Sequence, residues 1–287
     1  MNKIFSGLRI ALFAACWFCV SLYAYDPEHT AADNKLPKEI ELLKPVNEIG
    51  QKVNLDLEFL NEQGKPVRLK EIFSKGKPVI ISMVYYKCPT LCNFHLSTVL
   101  NTFKGLDWAV GDKFEYLAVS FDPKETFEVA SPKRDAFFDE YQKTVKNSSK
   151  EGWHFWTGTE QNSEVLAAQL GFRYSWSEKN KQWMHPSVMY ILTPEGKISQ
   201  YFQGLDLKVR DIRFALIEAS SGKVGNFVDK FVLFCYQFDP GQNKYVIYAH
   251  NIMRLGAVLT VLLLGVYIFT FWKSTQKKSD FQSTGGV

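Results

Sequence analysis

The sequence predicts an α/β domain of the thioredoxin-like type followed by a C-terminal transmembrane helix, and three observations predict it. Buried-strand patterns alternate with helical ones before the pattern closes on a hairpin and a last helix. A Cys-x-x-x-Cys motif, Cys88 and Cys92, stands where an apolar strand gives way to a helix, and Pro186 stands just before a later strand. Leu255 to Trp272 is an uncharged run of 18 residues, about 27 Å of helix at ~1.5 Å per residue, against a hydrocarbon core of roughly 30 Å.

The elements follow in order. Val53–Phe59, a Gln63-Gly64-Lys65 turn and Val67–Leu69 read as a hairpin. Pro78–Tyr86 is a continuous β-branched and aromatic run, the pattern of a central strand covered on both faces. After the cysteines, Leu96, Val99, Leu100 and Phe103 form one helical stripe. Phe114–Phe121 reads as a second buried strand, Thr126–Val145 as helix, His154–Trp156 as a short strand and Ser163–Leu170 as helix. Ser187–Leu192 and Ile198–Phe202, joined by Pro194-Glu195-Gly196, form a hairpin, and Val209–Ala219 a closing helix. Phe227, Phe231, Phe234 and Phe238 recur at helical spacing, which predicts a helix packed on the domain, with a helix lying on the membrane surface as the alternative, broken at Asp239-Pro240-Gly241.

Charge gives the topology. The net charge is +4, and Lys3, Arg9, Arg254, Lys273, Lys277 and Lys278 flank the two apolar ends. The body between them is close to neutral, which argues against a nucleic-acid footprint. Residues 1–24 read as a signal peptide cleaved after Ala24, with an uncleaved anchor or a lipid attached at Cys16 as the alternatives. Lysines after the second apolar run place the C-terminus in the cytoplasm and the preceding domain outside. The expected organisation is an arm at 25–47, the domain at 48–221, a membrane-proximal segment at 222–254, the span at 255–272 and a cytoplasmic tail at 273–287, polar and disordered from Gln276 on.

Five cysteines are present; Cys16 and Cys19 fall in the export segment, leaving Cys88, Cys92 and Cys235 in an oxidising compartment. A disulfide across so short a loop restricts the unfolded chain little, so the Cys88/Cys92 pair reads as functional. At a helix N-terminus both sulfurs are biased toward thiolate, a soft donor set that suits Cu(I) and, less selectively, zinc. The same spacing permits reversible disulfide chemistry. Of five histidines, His29 lies in the arm and His250 at the membrane edge. His154 reads as a strand histidine satisfied by hydrogen bonds. His95 is either a surface helix residue or a ligand local to the cysteine helix. His185 precedes Pro186 and the next strand, and in a thioredoxin-like plan that loop faces the cysteine loop, so His185 is the favoured third ligand.

YYKCPTLC, SFDPKET, WHFWTG, GFRY, MHPSVMYILTPEG and CYQFDP, in that order, resemble the SCO/SenC family of copper proteins, in particular the bacterial branch with an extra C-terminal membrane helix. The resemblance spans most of residues 50–275. It implies one copper, Cu(I) or Cu(II), bound by Cys88, Cys92 and His185. It further implies a role in assembling the binuclear copper centre of cytochrome c oxidase, with the copper-accepting subunit as partner and the membrane reached through the C-terminal helix. Asp122 then supports the site from behind. Pro186 occupies the slot of the thioredoxin proline and could preserve oxidoreductase character. Asn93 departs from the family, many of whose members have proline there. Cys235 reads as a free cysteine, or else a transient partner during copper handover. The alternative function is a membrane-tethered thiol–disulfide oxidoreductase that uses Cys88 and Cys92 to keep oxidase cysteines reduced. A peroxidase would need a threonine and arginine setting not seen around Cys88.

Overall fold

Val79–Val84 is buried at every position and becomes the middle strand of a five-stranded sheet, as its unbroken apolar pattern demands. The computed structural model describes residues 43–88, 91–221, 233, 236–239, 242 and 244–283, all within the compact unit Leu42–Val287. The expectations for the signal segment, most of the arm, Cys16, Cys19, His29, Phe227, Phe231, Phe234 and Cys235 lie outside the described residues.

In chain order the elements are β1 (Glu58–Leu60), β2 (Pro66–Arg68), α1 (Leu69–Phe73), β3 (Val79–Val84), α2 (Leu91–Lys104), β4 (Glu115–Ser120), α3 (Phe127–Gln142), β5 (Trp153–Trp156) and α4 (Glu160–Leu170). There follow β6 (Ser175–Ser177), β7 (Gln182–Met184), β8 (Val188–Leu192), β9 (Ile198–Gln203), α5 (Val209–Ala219), β10 (Tyr236–Asp239), β11 (Lys244–Ile247) and α6 (Ala249–Ser283). The main sheet has the order β5-β4-β3-β8-β9. β3, β4 and β5 run parallel, with Val84 opposite Ser120 and Val119 opposite Trp156. β8 is antiparallel to β3 and β9 to β8. Parallel βαβ units closed by an antiparallel hairpin and a helix make this a thioredoxin-like α/β domain.

Helices cover the sheet because their stripes match it. Leu96, Val99, Leu100 and Phe103 are all buried on α2, as their spacing predicts. Phe103 meets Phe114, Tyr116 and Trp153 edge-on at 5.2, 5.3 and 6.0 Å between ring centroids. α4 begins on the cap Thr159, whose side chain accepts from Asn162 N–H, and ends on Gly171 at φ 71°. There Gly171 O accepts from Val46 N–H at 2.9 Å. A Cβ at this glycine would stand 2.3 Å from Val46 O, so the position is closed to side chains on steric as well as dihedral grounds.

Three local expectations change. Phe238 lies in a strand, not on a helix: it pairs with Tyr245 across β10 and β11 and packs on Phe202 at 5.2 Å. Burial alternates over Gln237 and Phe238 with the two-residue period of a strand, which the four-residue spacing of phenylalanines had masked. The β6–β7 hairpin has no counterpart among the sequence expectations; three-residue strands are too short to show a period. The chain after the apolar run continues as helix to Ser283 instead of becoming a disordered tail. No glycine or proline interrupts it before Gly285. Asn251–Trp272 is long and apolar enough to cross a membrane, with a mean hydropathy of 2.2 and none of it buried against the domain.

Candidate metal centre

β3 ends at Val84, and the chain turns through Tyr85, Tyr86 and Lys87 to Cys88, whose N–H donates to Tyr85 O at 3.2 Å. α2 opens at Leu91, so Cys92 sits in its first turn, where backbone N–H groups lack partners within the helix. The N–H of Cys92 donates instead to Cys88 Sγ at 3.3 Å, and Tyr85 N–H donates to Cys92 Sγ at 3.5 Å. Both cysteines are buried free thiols.

From the other side, the loop before β8 brings His185 Nε2 to 3.0 Å from Cys92 Sγ. His185 Nδ1 donates to Pro186 O at 2.8 Å. A carbonyl can only accept, so the ring proton is on Nδ1, and Nε2 turns its lone pair toward the thiols. Tyr85, Phe121 and Phe172 wall the imidazole at ring separations of 5.7, 5.3 and 6.0 Å. The ligand atoms of Cys88, Cys92 and His185 all lie within 4.8 Å of one another, a group that could hold a metal ion.

The electrostatics split the two thiols. Cys88 is drawn down to about 3, chiefly by the hydrogen bond from the Cys92 side chain, with His185, Tyr85 and Cys92 N–H also lowering it, while burial opposes. Cys92 is pushed up by burial and by its neighbour's negative charge. The pair thus keeps one proton, held on Cys92 and shared with the Cys88 thiolate. Two sulfurs and one imidazole nitrogen form a soft, three-membered donor set that fits Cu(I) well.

The other sequence candidates fall elsewhere. His95 is neither a surface residue nor a ligand: it is 1% exposed, with Nδ1 2.7 Å from Ser187 Oγ and Nε2 2.9 Å from Ser82 Oγ. Burial holds its pKa down to about 3, with the charge of His185 adding to the effect. The unfolded chain takes up this proton near pH 6.5, whereas the folded chain resists it until about pH 3. Stability is therefore full above about 6.5 and falls by roughly 1 kcal/mol between pH 6 and 5 on this account. Unfolding free energies measured across that range should fall less steeply in a His95→Gln chain; an identical slope would contradict the assignment. His154, on β5, is the hydrogen-bonded strand histidine expected, 3.3 Å from Glu115 Oε2. His250 lies at the start of α6.

Asp122 caps its own turn, accepting from Lys124 N–H at 3.0 Å. The acid that reaches the cysteine loop is Glu125, which the sequence analysis did not single out. It accepts from Tyr86 N–H, Lys87 N–H and Ser120 Oγ, each at 2.6 Å. Lys133 Nζ donates to Tyr86 O and to Asn93 Oδ1, both at 2.6 Å, and Asn93 Nδ2 donates to Cys88 O at 2.9 Å. The departure at Asn93 thus has a local use that proline could not serve.

Comparison with known proteins follows the same line. Residues 47–216 match the family model described as SCO1/SenC. No curated protein matches the chain. Among solved structures, a chain of Aquifex aeolicus VF5 described as a candidate electron transfer protein is 24% identical, with a TM-score of 0.53, covering 61% of this chain and 96% of its own. A second Aquifex aeolicus VF5 chain, described as a candidate electron transport protein, is 25% identical, covering 60% and 98%, with a TM-score of 0.49. Arabidopsis thaliana ScoI, solved with copper bound, is 19% identical, covering 64% and 98%, with a TM-score of 0.41. The family match takes in both cysteines, the histidine and every strand of the main sheet, and the chain belongs to the SCO1/SenC family.

Proposed function

We propose that this chain is a membrane-tethered copper metallochaperone that delivers copper to, or matures, the binuclear copper centre of cytochrome c oxidase. Cys88, Cys92 and His185 bind one copper, and Pro186 orients the imidazole through its carbonyl. The observation that carries the reading is the convergence of two thiols and one imidazole lone pair within 4.8 Å. Membership of the SCO1/SenC family supports it. Three donors hold Cu(I) while leaving one side open, so a recipient's ligand can enter before a chaperone ligand leaves. Transfer then proceeds by ligand exchange, without turnover of a substrate.

In this reading residues 48–221 are the copper-binding domain on the periplasmic side of a bacterial inner membrane. The span at 255–272 tethers it, and the residues beyond it are cytoplasmic. The signal segment at 1–24 directs export. A second reading, a thiol–disulfide oxidoreductase acting on oxidase cysteines, is favoured by the thiolate character of Cys88 beside a protonated Cys92. The two are compatible as successive acts, because copper enters a dithiol and not a disulfide.

The test is copper stoichiometry and Cu(I) affinity of the full chain in detergent, reduced and free of oxygen, beside its His185→Ala form. One copper per chain is expected, with affinity lower by at least about 100-fold in the variant, whose Cys88–Cys92 disulfide still forms. Unchanged Cu(I) affinity in His185→Ala would remove the histidine from the site. No specific copper on the parent chain would leave the oxidoreductase as the function.

A further inference from the structure

The parallel ladder between β3 and β4 makes its last bond from Phe121 N–H to Val84 O, at 2.9 Å. Beyond it the two chains diverge, one toward Cys88 and the other into the Asp122–Glu125 turn, closed by Glu125 N–H on Asp122 O at 3.1 Å. The next backbone donors of the cysteine arm, Tyr86 N–H and Lys87 N–H, would be orphaned there. The Glu125 carboxylate accepts both, one on each oxygen, and is itself held by Ser120 Oγ. It is 4% exposed, so the bonds are not shared with bulk water. Lys133, from α3, takes Tyr86 O and, through Asn93, reaches Cys88 O.

We propose that Glu125 and Lys133 are positioning residues that hold the 86–88 backbone and so set the spacing of the two thiols. Glu125 fixes the donors of this short arm and Lys133 its acceptors, and neither touches a sulfur. A backbone segment held by one carboxylate at two successive amides has little freedom left, so Cys88 is presented already in place and little ordering remains when a ligand binds. Gln at 125 would keep one acceptor oxygen but turn an NH2 group toward the second amide, setting donor against donor. Met at 133 would release both acceptors without adding a charge. The proposal deepens the copper reading, and it also predicts the behaviour of the metal-free thiols.

The experiment compares the full chain in detergent with Glu125→Gln, Lys133→Met and Glu115→Gln. Glu115 is the matched control: a 1% exposed acid at the far end of β4, bonded to Lys75 and His154 at 2.9 and 3.3 Å and away from the cysteines. Three quantities are read: Cu(I) affinity by competition with a chelator, the iodoacetamide alkylation rate of Cys88 and Cys92 in the reduced metal-free chain, resolved from the other cysteines by peptide mapping, and Tm. Glu125→Gln and Lys133→Met should each weaken Cu(I) about 10- to 100-fold and speed alkylation several-fold as the buried arm loosens. Glu115→Gln should lower Tm and leave the other two quantities as they were. Affinity and alkylation within about twofold of the parent in both clamp variants would overturn the proposal, as would equal losses in Glu115→Gln. If Glu125→Gln does not fold, Lys133→Met decides alone by the same criterion. If the parent chain binds no copper, the copper reading fails while alkylation still decides the clamp.

Discussion

Serine at either cysteine is expected to abolish copper binding. A serine hydroxyl is a hard donor that stays protonated in this pocket, so one sulfur and one imidazole remain, too few to hold Cu(I) against a competing thiol. Cu(I) affinity should fall by more than about 1000-fold, beyond the outer-shell losses expected at Glu125. The two variants differ in the thiol that remains. Cys88 is the thiolate of the pair, and Cys92 is 0% exposed and kept protonated. Cys92→Ser should therefore retain at Cys88 a thiol that reacts with iodoacetamide, whereas Cys92 in Cys88→Ser should stay nearly unlabelled in the native state. Copper titration and peptide mapping of the labelled cysteines check both statements, since the sequence also holds Cys16, Cys19 and Cys235. A tight, stoichiometric copper in either variant would place the site elsewhere.

Trp153→Ala is expected to cost about 3–5 kcal/mol of folding free energy, the usual price of deleting a buried tryptophan. Trp153 is 1% exposed and meets Tyr141, Tyr116 and Phe103 at ring separations of 5.0, 5.4 and 6.0 Å. It joins α2 and α3 to the sheet where no smaller side chain could fill the space. Trp153 pairs with Tyr116, early in β4 and away from the strand ends that carry Cys88. The folded fraction should accordingly keep its Cu(I) affinity. Chemical unfolding of the full chain in detergent, followed by copper titration below the transition, measures both. A loss under about 1 kcal/mol would mean that the aromatic cluster is not the keystone of this half of the core.

Much of the architecture was legible before any coordinates. Strands buried on both faces announce themselves as unbroken apolar runs, and β3 and β4 fell within Pro78–Tyr86 and Phe114–Phe121. The stripe on α2 and the hairpin of β8 and β9 are equally local signals, each carried by a few neighbouring residues. The cysteine pair was legible from spacing, and His185 from its place before β8. Short or mixed segments were not legible. β6 and β7 are three residues each, and Phe238 satisfied a helical spacing while lying in a strand.

The sequence by itself determined the class of fold, the apolar helix at the C-terminus and the cysteine pair at the start of α2, because each rests on residues close together in the chain. Only the tertiary structure decided which polar side chains serve the site. His95 lies three residues beyond Cys92 and turns inward to Ser82 and Ser187, while Asp122, the acid that the family resemblance favoured, serves its own turn. Glu125 and Lys133 reach the cysteine arm across 39 and 47 residues of sequence to Tyr86. No periodicity or spacing encodes such a pairing. It exists because β3 and β4 lie side by side and α3 crosses beside them, so that a carboxylate and an ammonium arrive where the backbone ladder has run out of partners.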